Sequence, residues 1–321
     1  MITKGDIVET YFKLKQRGSE YIFSKLTSSF NARINSTFSI KQSQSSNYWN
    51  IAEVKERWNI MITGNKGEEY ANYVAKKHFN NSSGLKMLSL ACGAGSHEIK
   101  FAQYHNFSEI TGIDLVANLI DEANAKAKAS NFANLHYQTG DIYNMRFPEN
   151  YYDVLLFHSG LHHFKNLDNL LGKILKSTLK KNGIIVIHEY VGPNRISWTK
   201  EQLRETNLIL SSLPNKYKTR FNLKNIKNKA YRPGKLRMII SDPSEAVESS
   251  NILPVLHKHY ETVEEVFLGG NIIMPLFKDI AHNFTDGSAE TKNILESIFE
   301  REDSFLKTHT SDFVFGIYRN I

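Results

Sequence analysis

Residues 88–99 read LSLACGAGSHEI, and this stretch predicts a strand, a tight turn and the start of a helix. The apolar run at 87–91 has the length of a buried strand, and it stops at two glycines separated by one residue. Gly93 and Gly95 have no Cβ, so they can adopt positive φ and let a ligand approach the main chain closely. The pattern therefore indicates a cofactor held against the backbone of this turn.

A second short apolar run, EITGID at 109–114, ends in an acid 21 residues after Gly93. In a βαβ unit this spacing brings the carboxylate of Asp114 beside the first turn, where it can accept hydrogen bonds from both hydroxyls of a ribose. Glu98 occupies the third glycine position of the dinucleotide fingerprint, and an anion there is a poor neighbour for a pyrophosphate. The sequence contains no phosphate-binding P-loop either. The predicted ligand is a nucleoside without phosphates.

This Gly-x-Gly motif with an acid after the second strand resembles the class I S-adenosylmethionine-dependent methyltransferases that act on small molecules. The resemblance implies S-adenosylmethionine as cofactor, S-adenosylhomocysteine as its product and methyl transfer (EC 2.1.1) as the activity. In that family the acid after the third strand binds the adenine amino group and its apolar neighbour packs on the ring, roles that fall on Asp141 and Ile142. The full set of implied cofactor contacts is Ala91, Gly93, Gly95, Asp114, Leu115, Asp141, Ile142 and His158.

Apolar runs alternate with helical patterns from residue 86 to residue 190, which predicts an α/β fold with a mostly parallel sheet covered by helices. Strands are predicted at 86–91, 109–113, 134–139, 153–158 and 183–189, and helices near 96–105, 117–130 and 165–180. Two later strands are predicted at 260–268 and 312–318. The resemblance implies a Rossmann-like sheet of seven strands, with an antiparallel last strand inserted beside the fifth.

The regions outside this frame predict additional helices. Residues 1–83 are expected to form an N-terminal helical cap that contains a polar linker at 27–47. Residues 84–321 are expected to form the methyltransferase domain, with helical lid insertions at about 191–250 and 269–308. An insertion at the mouth of the sheet is a natural place for a substrate pocket. On this basis Tyr190, Trp198 and Arg232 are the predicted substrate contacts.

The fourth strand ends in HSGLHHF at 158–164, where the carboxyl ends of the strands place a ligand. Methyl transfer to a hydroxyl benefits from a base, and a histidine with a pKa near ~6.5 suits that role. A Leu-His-His segment at this place resembles several O-methyltransferases of the class, which makes His162 the first candidate for the base and His163 the second. Glu189, after the fifth strand, could orient the imidazole or accept a substrate hydrogen bond. Core or surface histidines, or a metal site, are the alternatives, and no metal is predicted.

The predicted acceptor is a hydroxyl of a small molecule such as a sugar or natural product. Methylation of a small amine, a non-catalytic adenosyl-ligand-binding protein and a nicotinamide-dependent oxidoreductase remain alternatives. Nine basic residues and no acid occur at 216–237, which indicates either a solvated loop or an anionic acceptor. Nucleic acid is disfavoured, because the Asn/Asp-Pro-Pro-aromatic run of the amino-methyltransferases that act on it is absent.

The composition is that of an ordinary globular protein, with 321 residues, 41% hydrophobic residues and a net charge of +7. Cys92 is the single cysteine, so no intramolecular disulfide can form, and a reducing compartment, the cytoplasm, is predicted. No apolar run reaches the ~18 residues that a membrane span needs. The N-terminus is not expected to act as a signal or transit peptide. A homodimer is left open.

Overall fold

The computed structural model describes residues 3–17 and 46–321. Within these residues the chain divides into two compact units. We call them the helical unit and the sheet unit. The helical unit comprises Met1–Met61, Gly192–Glu245 and Phe267–Phe313, and the sheet unit comprises Ile62–Val191, Ala246–Val266 and Val314–Ile321.

A seven-stranded sheet is the main feature of the fold, with the strand order β3-β2-β1-β4-β5-β7-β6. The pairs β1–β2, β1–β4, β2–β3 and β4–β5 are parallel, and the last strands are antiparallel. The order reverses between β1 and β4, so the carboxyl ends of these two strands flank the topological switch point where ligands bind in open sheets. The strands are β1 Leu85–Leu90, β2 Phe107–Asp114, β3 Leu135–Thr139, β4 Tyr152–His158, β5 Leu179–Tyr190, β6 Glu261–Gly269 and β7 Phe313–Arg319.

Helices follow the strands as the alternating pattern predicts. The last part of β1 and most of β4, β5 and β7 are buried, because helices cover both faces of the central strands. The helices are α1 Lys4–Arg17, α2 Ala52–Thr63, α3 Tyr70–Phe79, α4 Ser96–Ala102, α5 Ala117–Ala129, α6 Leu167–Asn169 extended by a π-helical turn Leu170–Ile174 and by Leu175–Thr178, α7 Lys200–Ser212, α8 Lys235–Ser241, α9 Ile252–His259, α10 Ile273–Phe277 and α11 Ala289–Leu306.

Local sequence signals account for several helix ends. Thr199 caps α7 with a capping box, in which its hydroxyl accepts from the Gln202 amide and the Gln202 side chain accepts from the Thr199 amide. Ser288 caps α11 by accepting from the Thr291 amide. Gly95 precedes α4 with φ 73°, a left-handed conformation that glycine adopts without strain. These residues fix where each helix begins.

The predicted α/β class, the seven strands and the place of the last strand beside the fifth are confirmed. One local prediction was wrong. The fifth strand was expected at 183–189, after a helix near 165–180, but in the structure this strand already begins at Leu179. The register shifts there, since Tyr152 pairs with Leu179 whereas Val154 pairs with Ile184, and Asn182 has φ 64°. An irregular segment that contains the left-handed Asn182 therefore lies inside the strand and interrupts its pairing with β4.

The predicted N-terminal helical region contains α1, α2 and α3, while the expected linker falls partly at 18–45, outside the described residues. Compactness groups α3 with the sheet unit and α1 with the helical unit. The predicted boundary at residue 84 therefore stays a prediction about domains. Among the described residues, none of the helices combines the length and the apolar character that crossing a membrane requires.

Buried ion pairs tie the basic stretch 216–237 into the helical unit. Arg220 is almost fully buried and pairs with Asp279 at 3.0 Å and with Glu9 at 3.7 Å. Lys227 is also buried, and its ammonium donates to three backbone carbonyls near the end of α10. The stretch is thus partly a structural element, which neither the solvated-loop nor the anion-site interpretation anticipated.

Candidate active site

The turn after β1 is built from three residues with positive φ. Ala91, Gly93 and Gly95 have φ values of 54°, 54° and 73°. A Cβ at Gly93 would meet no atom within 4 Å, so its backbone has open space beside it, whereas a Cβ at Gly95 would lie 2.6 Å from the ring of Tyr137. The first glycine thus leaves room beside the main chain, and the second allows close packing beneath the turn.

Asp114 lies directly beside this turn, as the βαβ spacing predicts. One of its carboxylate oxygens accepts from the Gly93 amide at 2.9 Å, and the other accepts from the Val116 amide at 2.9 Å. Each oxygen has a second lone pair, because a carboxylate offers about four acceptor sites. The two backbone bonds therefore orient the carboxylate and leave acceptor capacity for a diol.

Asp141 and Ile142 follow β3 at the same edge of the sheet. Asp114 pairs with Thr139 in the β2–β3 ladder, and the Gly140 amide donates to the Asp114 carbonyl at 2.9 Å. The Asp141 carboxylate accepts from the Tyr143 amide and the Asn144 side chain. Ile142 is buried in the main apolar cluster. Asp114 and Asp141 thus lie at the carboxyl ends of two neighbouring strands.

The loop after β4 touches the turn after β1. Ser159 leaves β4 with φ 51°, close to the 54° with which Ala91 leaves β1. A Cβ at Gly160 would lie 2.8 Å from the Ala91 Cβ and 3.2 Å from the Leu90 carbonyl oxygen. Glycine is required at this position, and it brings the histidine segment against the turn that the sequence assigns to the cofactor.

Glu189, at the end of β5, organises the histidine segment. Its side chain is fully buried, and one oxygen accepts from the amides of Gly160 at 2.8 Å and Leu161 at 2.6 Å. The other oxygen accepts from the Tyr190 amide at 2.7 Å and bonds to Nδ1 of His162. All four acceptor sites are used within the protein. Of the two roles predicted for Glu189, the contacts favour orienting the imidazole over binding substrate.

The charge of Glu189 fixes the tautomer of His162. Burial acts to raise the pKa of this carboxyl, but the His162 ring and the amides of Tyr190 and Leu161 outweigh it and hold the pKa below its ordinary value. An ionised carboxylate only accepts hydrogen bonds, so Nδ1 of His162 carries the hydrogen. In the neutral ring the basic lone pair is therefore on Nε2. His163, the second candidate, has its ring centroid 4.2 Å from that of His162.

His158 lies in a stack of aromatic rings. Its centroid is 3.3 Å from His97, 4.8 Å from His188 and 5.4 Å from Tyr70. Burial lowers the pKa of His97 to about 3 and of His188 to about 4, and it holds the pKa of His158 well below its usual range. The stack is neutral at physiological pH. The side chain of His158 thus packs among other rings, and the cofactor contact expected for this residue stays a prediction.

Sequence reasoning missed several residues that support the turn. Tyr137 donates from its hydroxyl to the Gly95 carbonyl at 2.8 Å, and its ring would collide with any Cβ at Gly112. Glu98 is buried and accepts from the Ser89 hydroxyl, and burial raises the pKa of its carboxyl to about 7. Burial also raises the pKa of the Cys92 thiol, which keeps it protonated and disfavours a role as nucleophile.

The three predicted substrate contacts fall in both units. Tyr190 belongs to the sheet unit, is buried, and has its ring centroid 6.2 Å from that of His162. Trp198 and Arg232 belong to the helical unit, where Trp198 is buried and Arg232 is exposed. Within the sheet unit, Tyr190 therefore lies near the candidate base, and the substrate roles of all three residues stay predictions.

A comparison with protein families matches residues 81–300 to the model described as a methyltransferase domain. The chain belongs to this methyltransferase family. Its fold and its glycine turn agree with that membership, and S-adenosylmethionine is the cofactor of the family.

Two relatives match part of the chain. The demethylmenaquinone methyltransferase of Leptospira interrogans is 25% identical over 143 residues, which is 44% of this chain and 57% of that protein. The uncharacterised methyltransferase YcgJ of Bacillus subtilis is 22% identical over 34% of this chain and 42% of its own length. The chain thus spans about half the length of these relatives.

Solved structures of methyltransferases also resemble the chain. The geranyl diphosphate C-methyltransferase of Streptomyces coelicolor, crystallised with Mg²⁺, geranyl diphosphate and S-adenosylhomocysteine, is 10% identical, with 78% of this chain and 80% of that chain covered at a TM-score of 0.48. A putative sarcosine dimethylglycine methyltransferase from Galdieria sulphuraria is 11% identical, with 78% and 84% covered at a TM-score of 0.47.

The residues of this chain fit an adenosyl cofactor. Open space beside the backbone of Gly93 lies next to an oriented Asp114 carboxylate, and Asp141 follows the neighbouring strand end. A carboxylate beside each of two strand ends suits a ligand with hydroxyl and amino donors and does not suit a phosphate. The cofactor residues predicted from the sequence therefore lie at the same edge of the sheet.

Proposed function

We propose that the chain transfers a methyl group from S-adenosylmethionine to a hydroxyl of a small molecule, with His162 as general base. The observation that carries this proposal is the bond from His162 Nδ1 to the buried carboxylate of Glu189. That bond leaves the basic lone pair on Nε2, and the same carboxylate holds the loop that contacts Ala91. Glu189 therefore positions the candidate base, and it also holds the loop that packs against the turn assigned to the cofactor.

The chemistry assigned to each residue follows from these contacts. When bound, the cofactor supplies a methyl group on an electrophilic sulfonium. His162 would take the proton of the acceptor hydroxyl on Nε2 as the hydroxyl oxygen accepts the methyl group and the carbon–sulfur bond breaks. Glu189 acts as a positioning residue, since it holds the ring and would stabilise the imidazolium through Nδ1.

The cofactor residues of this proposal keep the roles that the resemblance implies. Asp114 binds the ribose hydroxyls, Asp141 binds the adenine amino group and Ile142 packs on the ring. The Asp114 carboxylate supports its assignment, because two backbone amides orient it beside Gly93. Ala91, Gly95, Leu115 and the backbone at His158 line the remaining part of the cofactor.

The acceptor class rests on the histidine and on the family. A neutral imidazole removes a proton from a hydroxyl, whereas an unprotonated amine already offers a lone pair, so a built base favours an oxygen acceptor. The relative from Leptospira interrogans is named for demethylmenaquinone, a small molecule. A panel of hydroxyl compounds, together with matched amines and with demethylmenaquinone as a separate compound, is the appropriate screen with methyl-labelled cofactor.

The test replaces the base and its positioning residue separately. On the acceptor found by the screen, we expect His162→Ala to lower kcat by about 10²- to 10⁴-fold, the usual contribution of a general base, with S-adenosylhomocysteine affinity nearly unchanged. Glu189→Gln should lower kcat and shift the pH profile of turnover. His136→Ala, an exposed histidine on β3, is the matched control and should leave kcat unchanged.

Two results contradict the proposal. Unchanged turnover in His162→Ala would remove His162 from the chemistry. Loss of S-adenosylhomocysteine binding in the same variant would place this residue on the cofactor side and refute the division of the site. Labelling of amines alone would favour the N-methyltransferase alternative.

A further inference from the structure

Helix α1 in the helical unit has its two acidic residues turned inward. Asp6 and Glu9 are buried, although acids normally occupy the exposed face of a surface helix. Asp6 accepts from the Gly234 amide at 2.7 Å and pairs with Arg237 at 3.2 Å, and Glu9 pairs with Lys278 at 2.8 Å. The helix is therefore attached to its unit by polar contacts.

The outward face of α1 is correspondingly apolar and basic. Ile7, Tyr11 and Leu14 follow the i, i+4, i+7 spacing of one helical face, and all three are exposed. Lys4 and Lys15 are exposed near the two ends of this row, and the Lys15 ammonium lies 4.7 Å from the centre of the Tyr11 ring. Both acids of the helix are buried, so its exposed face carries no negative charge.

Helix α8 of the same unit repeats this arrangement. Leu236, Ile239 and Ile240 are exposed, Lys235 is exposed beside them, and the helix contains no acid. Six of the eleven large apolar side chains exposed among the described residues lie on α1 and α8, between 39% and 66% exposed. Asp6 joins the N-terminal ends of the two helices through Gly234 and Arg237. The two apolar rows therefore belong to neighbouring helices.

We propose that α1 and α8 form a docking surface for an anionic lipid bilayer. The surface consists of Ile7, Tyr11, Leu14, Leu236, Ile239 and Ile240, with Lys4, Lys15 and Lys235 around them. Aliphatic side chains with one tyrosine and flanking lysines are the composition of helices that lie in the membrane interface. Lysines near an anionic leaflet add an electrostatic attraction. The lysines of this surface are complementary in charge to anionic headgroups, and its apolar side chains suit the boundary between the headgroups and the acyl chains.

The charges argue against a second copy of this chain as the occupant. A two-fold contact would pair this face with itself and bring the lysines of both copies together, because an isologous interface uses the same patch twice. Like charges placed opposite each other disfavour association. A bilayer of anionic lipids presents negative charge along the whole surface, so every lysine of the surface can lie beside an anionic headgroup.

Sedimentation with vesicles tests the proposal on the full chain without cofactor or acceptor, so the result does not depend on the proposed methyl transfer. Vesicles of phosphatidylcholine with phosphatidylglycerol should bind the protein, more weakly as salt rises, and pure phosphatidylcholine vesicles should bind it less. Lys4→Gln with Lys15→Gln and Lys235→Gln should weaken binding to the anionic vesicles by at least about tenfold. Ile7→Gln with Leu14→Gln and Ile240→Gln should weaken it by a similar factor.

Matched control variants lie in the same unit on segments other than α1 and α8. Ile60→Gln with Leu208→Gln removes two exposed apolar side chains, and Lys55→Gln with Lys224→Gln and Lys292→Gln removes three exposed lysines. Both controls should bind vesicles like the parent, and circular dichroism confirms that all variants are folded.

Three results would overturn the proposal. They are the absence of binding to anionic vesicles, binding that the α1 and α8 variants do not change more than the controls do, and a concentration-dependent dimer that the apolar variant abolishes while vesicles bind none of the proteins. The last result would assign the face to a second copy.

Discussion

Gly160 is the residue at which two loops of the site meet. Its missing side chain lets the loop after β4 rest on Ala91 and on the Leu90 carbonyl, and its amide is one of the donors to Glu189. A methyl group there would sit 2.8 Å from the Ala91 Cβ, which is closer than carbon atoms approach without displacement. The position of the candidate base therefore depends on a glycine that takes no part in chemistry.

We predict that Gly160→Ala lowers the free energy of unfolding by about 1–3 kcal/mol, since overpacking forces the two loops apart. Urea unfolding followed by circular dichroism measures this value. Gly67→Ala is the control, because its Cβ would meet only the Asn65 side chain, at an ordinary 3.6 Å. An equal effect of the two substitutions would show that the loops adjust freely.

The sequence identified Asp114, Asp141 and the histidine segment, because each follows an apolar strand whose place in the βαβ order is fixed by pattern. It did not distinguish the two roles open to Glu189. That distinction depends on four hydrogen bonds to Glu189, three from residues 27 to 29 positions away and one from the next residue in the chain, and no spacing rule encodes them. The sequence gives the type of each residue, whereas its hydrogen-bond partners depend on the tertiary structure.

At the scale of elements, the stack of His97, His158 and His188 joins α4, β4 and β5. The Tyr70 hydroxyl also bonds to His97 Nδ1 at 3.1 Å, which ties α3 to the same rings. Burial lowers the pKa of His97 to about 3 and of His188 to about 4, so both stay neutral in the folded protein at pH values where the unfolded chain binds protons. Acid therefore favours unfolding through this stack.

We predict that stability falls as the pH drops from about 6.5 towards 4, and that His188→Phe reduces this fall by about 3 kcal/mol. The sign follows because a histidine with a lowered folded pKa gives its full stability above the unfolded pKa and loses it as the pH falls to the folded value. Urea unfolding at pH 7, 5.5 and 4.5 measures the difference from the parent. His105→Gln, an exposed histidine, should leave the slope unchanged, and an unchanged slope in His188→Phe would contradict the assignment.

The basic stretch is also an element with a structural role. The Lys227 ammonium donates to the carbonyls of Pro275, Leu276 and Lys278 at 2.7–2.9 Å. Burial lowers the pKa of this lysine to about 7. The side chain thereby satisfies carbonyls at the C-terminal end of α10 that the helix itself cannot bond. Counting charges along the sequence could not reveal this, because the count does not show which residues are buried.

We predict that Lys227→Met destabilises the protein by about 3 kcal/mol, because three buried carbonyls lose their donor while the volume is kept. Chemical unfolding measures the loss. Lys224→Met, at an exposed lysine of the same stretch, should change stability by less than about 0.5 kcal/mol. Similar values for the two variants would return the stretch to the solvated-loop interpretation.

At the scale of the whole molecule, cofactor binding and stability are linked. A ligand that binds only the folded state stabilises it, by about 2.7 kcal/mol at a concentration of 100 times Kd. We predict that S-adenosylhomocysteine raises the melting temperature and that NAD does not, because Glu98 and the absence of a P-loop disfavour a pyrophosphate. Asp114→Ala should abolish the shift, and thermal unfolding with each ligand measures it. A larger shift with NAD would favour the oxidoreductase alternative.

The sequence by itself determined the order of strands and helices, the glycine turn and the two acids that follow β2 and β3. These features depend on periodicity and on spacing within a βαβ unit, which neighbouring residues specify. Only the tertiary structure decided that Glu189 holds His162, that three histidines stack as neutral rings, that Lys227 is buried and that α1 turns its acids inward. The physical reason is that burial and hydrogen bonding depend on which distant residues meet, and burial sets both the charge state of a side chain and the partner it must find.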